Sequence, residues 1–115
     1  SFGFHGLDFD TFCRFGIPVV CVISNDSAWG MIKQSQMNYR AADAAQGVPG
    51  VDLAHMRAYE KMASMWDGYG ERGTRPEGIV PAIQRGAASG KPAIINVEVG
   101  KVTASPLLRG LAGWE

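Results

Sequence analysis

The sequence predicts an α/β fold, a three-layer sandwich in which helices cover both faces of a mostly parallel sheet. The apolar, mostly β-branched run Val19–Ile23 is typical of a strand that is buried on both faces. Segments with helical periodicity alternate with strand-like segments, in the order helix, strand, helix, helix, strand, helix, strand. This alternation favours a parallel sheet whose strands are connected through helices.

Length, charge and cysteine content restrict the class of protein. The chain has 115 residues, enough for one domain with a buried core. Its eleven basic and eleven acidic residues give a formal net charge of zero, so we expect neither a nucleic-acid partner nor a membrane surface. The longest uncharged apolar run, Ile17–Ile23, is too short to span a bilayer, and no signal peptide is recognisable. We expect a soluble, cytoplasmic protein in which Cys13 and Cys21 are small buried hydrophobic residues without a disulfide.

The first half of the chain is predicted to contain two helices around the apolar strand. Apolar residues at helical spacing indicate a helix from about Leu7 to Phe15, and Gly16 is a natural end for it. A second helix is expected from Ala28 to about Tyr39, with Ser27 or Asp26 as its cap. The small, turn-rich segment that follows, residues 41–50, is typical of a surface segment.

The second half adds a helix, a strand, a helix and a strand. The helix before the second strand is expected to run from His55 or Met56 to about Trp66. The later helix has its own start signals, which are a capping Thr74, a proline in the first turn and a glutamate at the capping-box position. It is expected to run to about Ala88. The strands are predicted at Gly68–Gly73 and Pro92–Val99.

A polar turn follows the apolar strand, with the sequence Ser24-Asn25-Asp26-Ser27. In open α/β sheets ligands bind at the carboxyl ends of the strands, which is where this turn would lie. The carboxylate of Asp26, free backbone groups and small residues suit Mg²⁺ and the phosphates that it bridges. The same four residues also suit a helix cap with no ligand, so the pattern alone leaves both interpretations open.

Other polar residues give weaker signals. His5 and His55 each stand without a nucleophile or partner beside them in the sequence, as structural or exposed histidines do. Pairs of adjacent charged residues are typical of solvated surfaces, and the sequence has two such pairs, Glu60-Lys61 and Glu71-Arg72.

Two stretches resemble a known family. Ser1-Phe2-Gly3-Phe4 and Asn25-Asp26-Ser27-Ala28-Trp29-Gly30 are similar to the C-terminal cofactor domain of thiamine diphosphate enzymes, in the branch of acetolactate synthase, benzaldehyde lyase and 2-hydroxyacyl-CoA lyase. The family motif opens with Gly-Asp-Gly and closes on Asn-Asn one βαβ step later. In this resemblance Ser1 follows the Gly-Asp-Gly, which is not on this chain, and Asn25-Asp26 takes the place of Asn-Asn. The resemblance covers residues 1–100 and leaves residues 101–115 as a tail.

The resemblance implies a thiamine diphosphate-binding fold that is incomplete at its N-terminus, with thiamine diphosphate and Mg²⁺ as cofactors. Mg²⁺ would be held by the Asp26 carboxylate and the backbone carbonyl of Ala28, together with the aspartate of the absent motif. Ser1 would contact the diphosphate, Trp29 and Gly30 would bring backbone close to it, and Met31 would lie near the thiazolium. The residues implied in cofactor binding are thus Ser1, Asp26, Ala28, Trp29, Gly30 and Met31.

The resemblance also implies a reaction. In this family the carbanion of the thiazolium attacks a carbonyl and then holds electrons while a C–C bond breaks or forms. The substrate would be a small molecule, a 2-oxo acid or an acyl-CoA such as a 2-hydroxyacyl-CoA, acted on by a lyase, decarboxylase or synthase. The glutamate that activates the aminopyrimidine would come from the pyrimidine-binding domain of a second subunit, in a homodimer or homotetramer. No catalytic residue is expected on this chain, which alone would be an inactive half-site.

Two alternatives belong to other functional classes. The chain would be a non-catalytic α/β interaction or regulatory module if Asp26 only caps a helix. It would be a nucleotide-class phosphate-binding protein if a glycine-rich phosphate loop were present, and the absence of Gly-x-x-x-x-Gly-Lys-Ser/Thr counts against that.

Overall fold

The computed structural model describes residues 2–39 and 49–100. The chain divides into two compact units. The sheet unit comprises Ser1–Asn25 and Arg57–Val99, and the turn unit comprises Asp26–Met56 and Gly100–Glu115. Ser1, most of the predicted surface segment 41–50 and the tail 101–115 lie outside the described residues.

The order of elements confirms the predicted order of helices and strands. The first predicted helix is present but begins earlier and consists of three short pieces. In chain order the elements are α1 (Phe2–His5), a 3-10 turn (Gly6–Asp8), α2 (Phe9–Arg14), β1 (Val20–Asn25), α3 (Gly30–Tyr39), a long 3-10 helix (Tyr59–Trp66), β2 (Tyr69–Gly73), α4 (Pro76–Ala88) and β3 (Ala93–Glu98). No helix among these described elements is long and apolar enough to cross a membrane.

The three described strands form a parallel sheet in the order β1, β3, β2. The central strand is therefore β3, and its residues Ala93–Asn96 have no exposed surface. The expectation that the first strand is buried on both faces is wrong for this sheet. In the described part of the chain β1 lies at the edge, where Val22 is 44% exposed, and β3 has the property that was expected of β1.

Helices cover both faces of the sheet, which confirms the three-layer sandwich. One face carries Ile94 in a cluster with Phe9, Ile23 and Ala63, beneath α2 and the long 3-10 helix. The opposite face carries the alternate residues of β3 in a second cluster beneath α4, formed by Ala82, Ile95 and Val97. Full burial of one isoleucine side chain contributes about 1.5–3 kcal/mol, so these two clusters supply the main stabilisation of the sheet unit.

Helix ends agree with the sequence in one case and differ in another. The amide of Gly16 donates to the Cys13 carbonyl at 3.2 Å, and that of Ile17 donates to the Phe12 carbonyl at 2.9 Å. This pairing ends α2 as predicted, because Gly16 adopts the left-handed φ of +62° that glycine tolerates. The predicted capping by Thr74 is wrong, since Arg75 is the N-cap of α4 and makes no side-chain cap.

The long 3-10 helix packs very closely on β2. Its eight residues exceed the roughly three or four that are usual for this helix type. A Cβ atom at Gly70 would lie 2.0 Å from the carbonyl oxygen of Glu60, so only a glycine fits there. The predicted helix ending at Trp66 is confirmed, but it has 3-10 geometry and begins at Tyr59.

An ion pair joins α4 to β2. The Arg85 guanidinium bonds both carboxylate oxygens of Glu71, and its Nε donates to Oε2 at 3.1 Å. The Tyr69 hydroxyl donates to the same Oε2, and this bond raises the pKa of Tyr69. Glu71 is therefore half-buried and paired, which corrects the expectation that it lies on a solvated surface, whereas Arg72 is exposed as expected.

The two cysteines are half-buried and free, and both pack against the cluster around Ile94. Burial raises the pKa of the Cys13 and Cys21 thiols. Their expected role as small hydrophobic residues is consistent with this packing.

The close approach at Gly70 gives the first prediction. Gly70→Ala should lower the free energy of unfolding by about 2 kcal/mol or more, because the backbone of β2 or of the long 3-10 helix has to move. Gly78→Ala in α4 is the matched control, since a Cβ there meets no described atom within 4 Å. The control should gain about 0.5–1 kcal/mol. Urea unfolding measures both values, and equal effects would contradict the prediction.

The ion pair gives the second prediction. Arg85, helped by Tyr69, lowers the pKa of Glu71 below its usual 4.5. A carboxyl whose pKa is lower in the folded chain stabilises the fold above its unfolded pKa, and this stabilisation is lost as the pH falls through the folded pKa. Arg85→Ala should therefore lower the melting temperature at neutral pH and have less effect as the pH falls below 4.5.

Melting curves of both proteins from neutral pH to about pH 3 measure this difference. Lys61→Ala, at an exposed position, is the control and should differ from the parent by the same amount at every pH. A difference for Arg85→Ala that stays constant across the range would contradict the assignment.

Candidate functional site

A buried amide network holds the carboxyl end of β1 within the sheet unit. Asn25, the last residue of β1, is 6% exposed. Its Nδ2 donates to the carbonyl oxygen of Arg57 at 3.2 Å and to Oδ1 of Asn96 at 3.2 Å. Both hydrogens of this amide are therefore used, which gives the Asn25 side chain a defined orientation.

Asn96 is the centre of this network. It is the fully buried polar residue of β3 and pairs with Ile23 in the sheet register. Its Nδ2 donates to the Arg57 carbonyl at 2.9 Å and to Oε2 of Glu60 at 2.6 Å. Sequence reasoning missed both Asn96 and Glu60. An asparagine within an otherwise apolar strand was a usable signal, whereas Glu60 has the same sequence context as a solvated glutamate.

Asp26 follows Asn25 and opens the turn unit with a local hydrogen bond. Its Oδ1 accepts a hydrogen bond from the backbone amide of Ala28 at 3.0 Å. Since α3 begins only at Gly30, this bond shapes a turn that precedes the helix. The expected capping of this helix by Asp26 is therefore wrong. Ser27 is not its cap either, because the Ser27 Oγ accepts from the backbone amide of Met56 at 2.8 Å.

A short segment lies antiparallel to this turn, also within the turn unit. The Trp29 amide donates to the Val51 carbonyl at 2.8 Å, and the Leu53 amide donates to the Ser27 carbonyl at 2.8 Å. Asp52, between them, forms an ion pair with Lys33 of α3, with 2.7 Å between Nζ and Oδ1.

Ser27 adopts a backbone conformation that residues with a side chain rarely take. Its φ is +58°, in the left-handed region. This conformation costs roughly 1–2 kcal/mol for a residue other than glycine. The surrounding hydrogen bonds of Ser27 with Met56 and Leu53 offset that cost. Strain of this kind occurs often where a turn is shaped for a ligand.

Two oxygen atoms of this turn accept no hydrogen bond from the described residues. Asp26 is half-buried, and no donor within residues 2–39 and 49–100 bonds its second carboxylate oxygen. Over the same ranges no donor bonds the Ala28 carbonyl. Carboxylate and carbonyl oxygens are the ligands that Mg²⁺ prefers, so this donor set fits the metal. Nowhere in the described ranges do three His, Cys, Asp or Glu side chains come together, so the described residues do not complete a metal site.

Comparison with known families identifies the domain. Residues 1–97 match the family described as thiamine pyrophosphate enzyme, C-terminal TPP binding domain. The chain belongs to this family. The family resemblance of the sequence is thereby confirmed, and the domain is a thiamine diphosphate-binding domain of the α/β class.

Three curated relatives of this TPP-binding domain differ in the activity that their names state. Acetolactate synthase large subunit IlvG of Mycobacterium tuberculosis is 34% identical over 113 residues, covering 97% of this chain and 20% of that protein. Oxalyl-CoA decarboxylase of Escherichia coli is 32% identical, covering 86% and 17%. 2-Hydroxyacyl-CoA lyase 2 of Danio rerio is 30% identical, covering 88% and 16%. The chain thus spans about a fifth or less of the length of these relatives.

The predicted cofactor residues of the TPP-binding domain occupy one short stretch. Asp26, Ala28 and Trp29 lie in the turn, and Gly30 and Met31 begin α3. Met31 is 85% exposed. Their roles toward the cofactor stay predictions at this stage.

The glycines in and before β2 bear on the hypothesis that the chain is a nucleotide-class phosphate-binding protein. Residues Gly68–Gly73 have the Gly-x-Gly-x-x-Gly spacing that occurs in dinucleotide-binding turns. That motif requires a turn between a strand and a helix, and here Gly70 and Gly73 lie inside β2. The strand predicted at this position is confirmed, and the spacing carries no nucleotide site.

The strained serine gives the third prediction. Ser27→Ala should lower the free energy of unfolding by about 1 kcal/mol, because the Met56 amide loses its acceptor while the left-handed backbone remains. Ser27→Gly loses the same acceptor but relieves the backbone cost of about 1 kcal/mol or more. Denaturant unfolding should place the glycine variant closer to the parent. A glycine variant less stable than the alanine variant would contradict the strain argument.

Proposed function

We propose that this chain is the Mg²⁺ and thiamine diphosphate half-site of an enzyme that breaks or forms a C–C bond. The observation that carries the proposal is the turn after β1, in which one oxygen of Asp26 accepts from the Ala28 amide, while its other oxygen and the Ala28 carbonyl accept no hydrogen bond from the described residues. The names of the relatives, a synthase, a decarboxylase and a lyase, support this reaction class.

Each residue of the turn has a role in the proposal. Asp26 and the carbonyl of Ala28 would hold Mg²⁺, and the aspartate of a Gly-Asp-Gly motif would complete the metal site. The role proposed for Ser1 is contact with the diphosphate. Gly30 begins a ten-residue helix, whose first backbone amides and positive dipole end suit the phosphates. The missing side chain of Gly30 and the backbone of Trp29 allow close approach.

The bound cofactor supplies a nucleophilic carbon that also accepts electrons, and the protein supplies binding and orientation. The exposed, flexible side chain of Met31 provides an apolar contact for the thiazolium and the substrate. The substrate is a 2-oxo acid or a 2-hydroxyacyl-CoA. The glutamate that activates the aminopyrimidine belongs to the pyrimidine-binding domain of a second subunit, in a homodimer or homotetramer of the cytoplasm.

The structure weakens the main alternative. An interaction or regulatory module was plausible if Asp26 only capped a helix, but Asp26 bonds an amide that precedes α3. The domain boundary at residue 100, with residues 101–115 as a tail, is part of the proposal.

The fourth prediction separates the two tasks of Asp26. In the full-length protein Asp26→Ala should weaken Mg²⁺-dependent thiamine diphosphate binding tenfold or more, about 1.4 kcal/mol, because it removes both the turn and the metal ligand. Asp26→Asn keeps one oxygen, which can still accept from the Ala28 amide, but it replaces the second carboxylate oxygen with an NH2 group that cannot bind a metal. Its affinity should therefore lie between that of the parent and that of the alanine variant. Isothermal titration with and without Mg²⁺ measures the affinities.

Asp8→Ala is the matched control, because Asp8 is exposed and its ion pair among the described residues is a local one with His5. It should bind the cofactor as the parent does. Unchanged affinity in Asp26→Ala would remove the basis of the proposal and favour the interaction module.

A further inference from the structure

We propose that Asn96 and Glu60 are positioning residues for the cofactor turn, and that they act through Asn25. This inference rests on the proposed function. It assigns a role to two residues that do not belong to the turn, and the contacts among Asn25, Arg57, Glu60 and Asn96 lie within the sheet unit. Neither residue is expected to touch the cofactor.

The hydrogen bonds of the network allow one arrangement of its side chains. Both hydrogens of the Asn96 amide are donated, to the Arg57 carbonyl and to Glu60, and its Oδ1 accepts from Asn25. Asn25 also donates to the Arg57 carbonyl. An amide with every hydrogen used cannot rotate without leaving a buried group unpaired, which costs about 1–3 kcal/mol. The network therefore holds the Asn25 side chain in a single orientation.

The stability of the core does not require a polar side chain at position 96. The strand β3 is apolar on either side of Asn96, and its neighbours Ile94 and Ile95 have no exposed surface. Buried polar groups are seldom more stabilising than apolar groups of the same size, and their benefit is a defined geometry. An apolar residue at position 96 would suit the core but would remove the acceptor for one hydrogen of the Asn25 amide.

Asn25 directly precedes the residue that forms the turn. Asn25 is the last residue of β1, and the next residue is Asp26, whose own hydrogen bond to the Ala28 amide forms the turn. A fixed Asn25 therefore defines the point at which the chain enters this turn. Glu60 contributes from the long 3-10 helix, so three separate segments determine one backbone position.

The charge of Glu60 is not needed for this role. Its Oε2 accepts one hydrogen from Asn96, and a glutamine at position 60 still offers a carbonyl oxygen to the same hydrogen. An alanine at position 60 offers none and leaves that hydrogen buried and unpaired. Glu60→Ala and Glu60→Gln therefore form a pair that isolates the hydrogen bond.

The test uses the full-length protein and two measurements. The first is hydrogen exchange of the peptide that contains the Ala28 amide, in the protein without cofactor, by mass spectrometry. The second is the affinity for thiamine diphosphate at saturating Mg²⁺. Variants Asn96→Ala and Glu60→Ala should exchange that amide tenfold faster or more, and should bind the cofactor tenfold more weakly or more. Glu60→Gln should stay within about threefold of the parent in both measurements.

Ile95→Val is the stability control, because Ile95 is fully buried on the opposite face, in the cluster with Ala82. It should lower the melting temperature and leave both the exchange of the Ala28 amide and the affinity unchanged. If Asn96→Ala does not fold, the comparison of Glu60→Ala with Glu60→Gln still tests whether the hydrogen bond to Asn96 positions the turn.

Three results would overturn the inference. These are parent-like exchange in Glu60→Ala, an equal loss of affinity in Ile95→Val at the same loss of melting temperature, or a Glu60→Gln variant as impaired as Glu60→Ala. A parent protein that binds no thiamine diphosphate would instead contradict the proposed function, while the exchange measurement would still test the positioning of the turn.

Discussion

The buried side chain of Asn96 is the constraint that joins the end of β1 and the start of the long 3-10 helix to the central strand β3. A fully buried amide is stable only if each of its polar atoms has a partner, and Asn96 finds these on three segments. Asn25 comes from the end of β1, the carbonyl of Arg57 from the chain before the long 3-10 helix, and Glu60 from that helix. One polar residue in the central strand thereby determines how two other segments approach the carboxyl ends of β1 and β3.

The other contacts of the long 3-10 helix depend on small residues and not on hydrogen bonds between side chains. At Gly70 the backbone of β2 comes so close to Glu60 that no side chain fits. Ala63, which is fully buried, meets the cluster around Ile94 from the same helix. Small residues therefore permit the close packing. The hydrogen bonds from Asn96 to Glu60 and to the Arg57 carbonyl fix the position of the helix along β3. This combination explains how Glu60, a residue of a charged pair in the sequence, comes to serve a buried amide.

The turn after β1 is built differently, from residues that are adjacent in the sequence. The carboxylate of Asp26 bonds an amide two residues further on, and Ser27 takes a left-handed conformation between them. Such a turn needs little support from distant segments, because the hydrogen bond and the backbone angle are local. This local character is the reason why the turn could be located from the sequence, whereas its exact hydrogen bonding could not. A carboxylate suits a helix cap and a turn equally well until the start of the helix is known.

Several parts of the fold followed from local signals. Gly16 ended α2 as expected, the strands β2 and β3 formed where glycines and a proline bound them, and α4 began at its proline. Other expectations failed where the outcome depends on neighbours in space. The run Val19–Ile23 has the composition of a central strand, but burial on both faces depends on strand order, which composition does not contain.

The sequence by itself determined the class of fold, the order of its elements and the family, because these depend on periodicity, on glycine and proline positions and on a motif of adjacent residues. The tertiary structure alone decided which of the three described strands lies between the other two, that Glu71 is paired with Arg85, and that Asn96 joins Asn25 to Glu60. The physical reason is that these contacts join residues far apart in the chain. Whether a polar side chain at such a distance is solvated or buried depends on its partners, and only the packed chain brings them together.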